Sequence, residues 1–211
     1  IECMKNVISF CKKNKSKLIH ISSTSVYGKQ ATIVNEQDKS LLKPQSPYAE
    51  IKLIEEQMLE NNTDKIKFMS FRFGTIAGVS KGMRFHTAIN KFCFNAALNE
   101  KIHVYKTAFN QYRPYLSLKD AFKVFHFCIE KNIYNNDFYN ALSGNYTVKQ
   151  ILKMINKYKK GTKIKFVKSK IMNQLSYHVD NKKLQRLGLN LKSNIQNDIK
   201  DTLELFNQIK Y

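Results

Sequence analysis

The apolar positions fall into two alternating periods. Met4, Val7, Ile8 and Cys11 recur at helical spacing ahead of a lysine cluster at 12–17, which predicts a helix at the very start of the chain. A continuous run follows, Lys17-Leu-Ile-His-Ile-Ser22, of strand length and ending in small hydroxyl residues, as strands buried in a parallel sheet do. After a polar loop, Ser46 stands as a cap and Pro47 in the first turn of a helix that continues through Ile51, Leu53, Ile54 and Met58 to about residue 62. A second strand is predicted at 66–73. Strand, helix and strand at these lengths form a parallel crossover, whose ligand face lies at the C-terminal strand ends, where Ser23 and Phe73 to Thr75 sit.

Beyond Gly78 the periods are less regular. A helix at 85–98, a strand at 102–105, a segment at 115–118 feeding a helix to about residue 130, and a strand at 138–142 are predicted. In the last third, helices at 148–158 and 195–209 around a strand at 163–167 read as a smaller lobe. No internal repeat interrupts this α/β order, and no low-complexity segment beyond lysine-rich helix faces.

Composition changes this picture little. At 211 residues and 43% hydrophobic, the chain has material for one substantial core and a small appended lobe, which excludes a disordered tail. No apolar run approaches the roughly 20 residues of a membrane span, and Ile1-Glu2-Cys3 does not lead a signal peptide. A soluble, cytoplasmic protein without membrane contact is expected. Cys3, Cys11, Cys93 and Cys128 are scattered without metal-ligand spacing, so they read as buried small hydrophobes, with no metal site and no disulfide framework. The net charge of +20 invites a nucleic-acid reading, because basic side chains release counterions from a phosphate backbone. The excess is mostly lysine dispersed along the whole chain, rather than arginine interleaved with aromatics in one patch, so no nucleic-acid partner is expected. A phosphate-bearing small molecule would still be attracted.

Candidate chemistry centres on Tyr48 and Lys52, whose i, i+4 spacing stacks them on one helix face. A phenol is a poor base at neutral pH, but a nearby ammonium, helped by a nicotinamide's positive charge, favours the phenolate. Tyr48 could then shuttle a proton from a sugar hydroxyl, with Ser23 orienting it. A bare Tyr-x-x-x-Lys pair arises easily in a lysine-rich chain. The surrounding residues carry the weight: Ile21-Ser-Ser-Thr-Ser-Val-Tyr-Gly28, then Glu36, then Pro44-Gln-Ser-Pro-Tyr-Ala-Glu-Ile-Lys52, followed by Arg72-Phe-Gly-Thr-Ile-Ala-Gly78 and Tyr112-Arg-Pro-Tyr-Leu-Ser-Leu-Lys-Asp120.

In order and spacing these segments resemble the extended short-chain dehydrogenase/reductase family, the nucleotide-sugar epimerases and dehydratases, and within it the 4-epimerases of UDP-glucose. The resemblance covers essentially the whole chain, most specifically 18–120. It implies a catalytic triad of Ser23, Tyr48 and Lys52, with Lys52 lowering the pKa of Tyr48 and holding the nicotinamide ribose. It implies cofactor contacts at Ser22, Tyr48, Lys52, Phe73 and Gly74, and substrate contacts at Thr24, Thr75, Asn90 and Arg113. Arg113 would pair with the nucleotide diphosphate through bidentate hydrogen bonds. Arg84 is a weaker candidate for substrate contact, and Tyr27 a packing residue beside the site. The implied cofactor is NAD, with NADP left open, the partner a nucleotide sugar, and the assembly a homodimer through the helices flanking the sheet.

Departures from the family pattern sharpen the expectation. Its 4,6-dehydratases place an Asp-Glu pair after the catalytic hydroxyl, where this chain has Thr24 and Ser25, which favours epimerisation through a keto sugar. The arginine that often precedes the terminal Tyr-x-x-Asp element has no counterpart in Met172-Asn-Gln-Leu-Ser-Tyr-His-Val-Asp180. The seven glycines include no Gly-rich turn for a pyrophosphate. The fold expected is therefore an incomplete Rossmann-type parallel sheet, its first βα units absent, with a smaller C-terminal α/β substrate lobe. Residues 1–80 would be the later part of the NAD(P)-binding domain and 81–211 mainly the substrate lobe, with 113–142 partly returning to the first domain. A fragment of a larger enzyme is implied, with weak NAD binding as it stands. Two alternatives use the same residues: a nucleotide-sugar reductase or dehydratase, and an inactive fragment or non-catalytic binding module.

Overall fold

The computed structural model describes residues 1–30, 33–168 and 177–208. Positions 172–176 and the expected helix end at 209 lie outside the described residues. Helix α1 (Glu2–Asn14) buries the stripe Met4, Ile8 and Cys11 and stops at Lys15 in the left-handed conformation. Strand β1 (Lys17–Ser23) follows. Helix α2 (Pro47–Glu60) starts where Ser46 Oγ accepts the backbone N–H of Ala49 at 3.2 Å, with Pro47 in the first turn. Strand β3 (Lys67–Phe73) pairs in parallel with β1, from Lys17 opposite Lys67 to Ser23 opposite Phe73. The short strand β2 (Ile33–Val34) lies between β1 and α2 in sequence and pairs in parallel with β10 (His178–Val179).

Past Gly74 the chain enters β4 (Thr75–Ala77), then α3 (Ala88–Ala97), β5 (Ile102–Tyr105), β6 (Tyr112–Ser117) and α4 (Leu118–Lys131). Strand β7 (Asp137–Ala141) returns to pair with β3, giving a parallel sheet of order β1-β3-β7. One face of this sheet, through Phe68 and Phe138, packs with Met4, Ile8 and Leu59 of α1 and α2. The other face, through Met69, Phe71 and Tyr139, packs with Val124 and Cys128 of α4. Side chains alternate across the strands, so helices cover both faces of the sheet.

Gly74 is the joint between this sheet and a second one of order β4-β6-β8, with β8 at Gly144–Thr147. A Cβ on Gly74 would lie 3.0 Å from the carbonyl oxygen of Pro114, so the crossing of the two backbones favours glycine. The second sheet is followed by α5 (Val148–Tyr158), which Thr147 and Gln150 start with a reciprocal capping box. Strand β9 (Ile164–Val167) pairs in parallel with β5. Helices α6 (Lys182–Arg186) and α7 (Ile195–Asn207) complete the chain. Ile89, Cys93, Ile151, Ile155, Ile199 and Leu203 from α3, α5 and α7 form a separate core cluster.

The strand and helix periods of the sequence therefore yield the expected elements, with two corrections. The helix expected from residue 85 begins at Ala88, because the preceding residues form a turn in which Thr87 Oγ1 donates to the carbonyl of Arg84. Cys3 is exposed, whereas the other three cysteines are buried as expected: it sits off the 4, 8, 11 stripe that α1 turns inward. Among the described residues, no helix is long and apolar enough to cross a membrane.

Candidate active site

A cleft of about 750 Å³ opens at the C-terminal ends of β1 and β3. Every sequence-predicted site residue except Lys52 lines it, as does Arg84. The sheet contributes Ser22, Ser23 and Thr24 from one strand end and Phe73, Gly74 and Thr75 from its neighbour, and α2 contributes Tyr48. From across the cleft come Arg84, Asn90 of α3 and Arg113 of β6.

Ser23 ends β1 in extended conformation and caps the 3-10 turn Thr24–Tyr27. Its Oγ accepts hydrogen bonds from Ser25 N at 3.2 Å and Ser25 Oγ at 2.9 Å. Neither bond uses the Ser23 proton, so the hydroxyl keeps a donor for the cleft. Tyr48 stands in the first turn of α2 and is 57% exposed, open to anything that enters. In Lys52, one turn further along, Nζ donates to Glu55 Oε2 at 2.8 Å. Lys52 thus stands on the same helix as Tyr48 with its ammonium in an ion pair to Glu55.

Beneath Ser22 and Tyr27 runs a buried polar network. The alternation of β1 turns His20 and Ser22 toward α2, where Ser22 Oγ donates to Glu56 Oε1 at 2.5 Å. Arg72 grips the same carboxylate with Nε at 2.9 Å and Nη2 at 2.6 Å, and donates through Nη1 to Tyr27 Oη at 2.8 Å. Tyr27 in turn donates to Asn140 Oδ1 at 2.9 Å. Burial pushes the Tyr27 phenol up to about 12, against the opposing pull of Arg72, so Tyr27 stays a neutral packing residue. Ser22 lines the cleft with its hydroxyl already committed to Glu56.

Thr24 is buried, donating to the carbonyl of Phe73 at 3.2 Å and lying 3.4 Å from Tyr177 Oη. Asn90 is only 3% exposed. Its Nδ2 donates to the carbonyl of Arg84 at 3.1 Å, while its buried Oδ1 has no hydrogen-bond partner among the described residues. Asp120, the last residue of the Tyr112 to Asp120 segment, works differently. Burial raises its pKa, but hydrogen bonds from Lys123, Ser193 and Ser143 prevail and hold it below the usual carboxylate range. It ties α4 to the segment before α7.

Sequence reasoning passed over Tyr177, His20, Glu55 and Glu56. The signal for three of them was present. His20 and Ser22 are polar positions on one face of an otherwise apolar strand, and such positions need partners on the helix that covers them.

An α/β chain that gathers hydroxyls, a phenol and guanidinium groups at the C-terminal ends of a parallel sheet has the form of a nucleotide-binding domain. The sequence pattern of the NAD dependent epimerase/dehydratase family matches residues 1–141, and the chain belongs to that family. It is 24% identical over 200 residues to a trifunctional UDP-glucose 4,6-dehydratase/UDP-4-keto-6-deoxy-D-glucose 3,5-epimerase/UDP-4-keto-L-rhamnose-reductase of Arabidopsis thaliana, covering 91% of this chain and 29% of the plant protein. Its fold is similar to that of a UDP-glucuronic acid 4-epimerase from Bacillus cereus, solved with UDP-glucuronic acid and NAD (TM-score 0.86, 22% identity, 99% of this chain and 67% of that one). It is also similar to a UDP-N-acetylglucosamine 4-epimerase from Methanobrevibacter ruminantium M1 (TM-score 0.85, 19% identity, 98% and 68%). The chain thus spans less than a third of the plant relative and about two thirds of these solved structures.

Proposed function

We propose that the protein catalyses NAD-dependent epimerisation of a nucleotide sugar through a keto-sugar intermediate. The observation that carries this reading is the single cleft into which Ser23 and Tyr48 open from the sheet side, and Asn90 and Arg113 from the other. Tyr48 is the acid/base: its exposed phenol accepts the proton of a sugar hydroxyl and later returns it. Ser23, with its proton unused by Ser25, orients that hydroxyl. Lys52 supplies positive charge on the same helix face.

The residues present fit the nicotinamide end of the cofactor, with Ser22, Tyr48, Phe73 and Gly74 along the strand ends and Lys52 behind them. When bound, NAD supplies reversible hydride acceptance, and the protein supplies geometry and proton transfer. Asn90 offers its open acceptor to a substrate donor, and Arg113 its guanidinium to the diphosphate. Thr24 occupies the place where the family's dehydratases hold an acid, and its hydroxyl is taken by the Phe73 carbonyl. Epimerisation is therefore favoured over elimination of water.

The test follows a deuterium label at the reacting sugar carbon in the full-length protein with NAD. An epimerase returns the label to the product without net consumption of cofactor. Label transferred to, or replaced from, an external pool would make the protein a reductase, and loss of water from the sugar a dehydratase. No conversion of any UDP-sugar would favour a non-catalytic binding role.

A further inference from the structure

Two adjacent carboxylates on α2 have different surroundings. Glu56 is 3% exposed and its charge is matched by the two-pronged grip of Arg72. Glu55 uses one oxygen, Oε2, to accept from Lys52 Nζ at 2.8 Å and to meet His20 Nε2 at 3.1 Å. His20 is buried on β1, and its Nδ1 lies 2.8 Å from Ser70 Oγ of β3. Burial lowers the His20 pKa, which leaves the ring neutral at pH 7. A carboxylate only accepts, so Nε2 carries the proton toward Glu55, and Ser70 donates to Nδ1. A brace thus runs from β3 through His20 to Glu55 and ends on the ammonium of Lys52. Helical side chains lean toward the helix N-terminus, which for Lys52 is the direction of Tyr48. Its ammonium is instead bound to a group on the C-terminal side.

We propose that Glu55, braced by His20, is a positioning residue that fixes the Lys52 ammonium on α2 and offsets its charge at the cleft. This rests on the proposed role of Lys52 beside Tyr48. The charged groups that face the ammonium are Glu55 on its own helix, with the neutral His20 from β1 and the neutralised Glu56–Arg72 pair behind. Glu55→Gln keeps the shape and removes the counter-charge. The freed ammonium then favours the phenolate at lower pH, and the acidic limb of the pH–rate profile moves down by about one unit.

Lysine arylation by trinitrobenzenesulfonate, which releases sulfite and is mapped by mass spectrometry on the full-length protein, tests the brace without reference to turnover. Ion pairing keeps Lys52 charged and slow to react. In Glu55→Gln, with the ion pair gone, its labelling rises severalfold, while Lys39 and Lys123 label as before. Glu55→Asp restores part of the protection. His20→Leu raises Lys52 labelling, and His20→Gln, which keeps a donor for Glu55, raises it less. Unchanged Lys52 labelling in Glu55→Gln overturns the proposal, as does a rise shared equally by Lys39 and Lys123, which would report general loosening. An unmoved acidic limb overturns the claim that the brace tunes Tyr48. A selective rise at Lys52 in a protein whose Tyr48→Phe variant turns over normally would keep the brace and remove the functional reading it rests on.

Discussion

On the sheet side of the cleft, polar groups are cross-linked from beneath. Glu56, Arg72, Ser22, Tyr27 and Asn140 join α2, three strands and the turn after β1 through hydrogen bonds of 2.5–2.9 Å. The opposite side, around α3 and β6, carries an exposed Arg84, the half-buried Arg113 and the unmatched Oδ1 of Asn90. One wall rests on a buried network within the protein; the other brings two guanidinium side chains to the cleft. The difference assigns each wall a task. Proton transfer needs fixed geometry, and the cross-links beneath Ser22 and Tyr27 supply it. Recognition of a charged ligand needs donors that it can reach, and guanidinium groups suit a phosphate.

The contrast can be broken from the sheet side first, where the largest effect is expected. Arg72→Met strands the buried Glu56 carboxylate and should cost about 3–5 kcal/mol of stability, as breaking one partner of a buried ion pair does. Urea denaturation measures it, and a loss below about 1 kcal/mol would mean that the network is incidental. On the other wall, Arg113→Ala should weaken binding of a nucleotide diphosphate about 10- to 100-fold, the value of a charged hydrogen-bonded contact. Titration calorimetry with UDP checks it. A variant that binds UDP as tightly as the natural protein would remove Arg113 from the ligand wall.

The two walls were unequally legible in the sequence. The strand and helix periods, with Ser46 and Pro47 as start signals, gave the crossover that carries Ser23 and Tyr48, because burial on both faces of a parallel sheet leaves a strong apolar signature. Asn90 and Arg113 came from motif spacing alone, since nothing in their local sequence says that β6 and α3 approach the strand ends. The position of the Lys52 ammonium was not legible. Helical spacing places it on the face of Tyr48, but the carboxylate it meets, Glu55, is also held by His20 from β1, and pairing across elements leaves no periodic trace. Cys3 was misplaced for a simpler reason: residue type was weighed ahead of the helical stripe that excludes it.

The most direct test of the account is Tyr48→Phe in the full-length protein, assayed with NAD and a UDP-sugar for turnover and separately for nucleotide-sugar affinity. Removing the one hydroxyl should lower turnover on the order of 10²–10⁴-fold, the usual worth of a positioned acid/base, with binding of the nucleotide sugar little changed. Turnover within a few-fold of the natural protein would contradict the assignment of Tyr48 as the group that moves the proton.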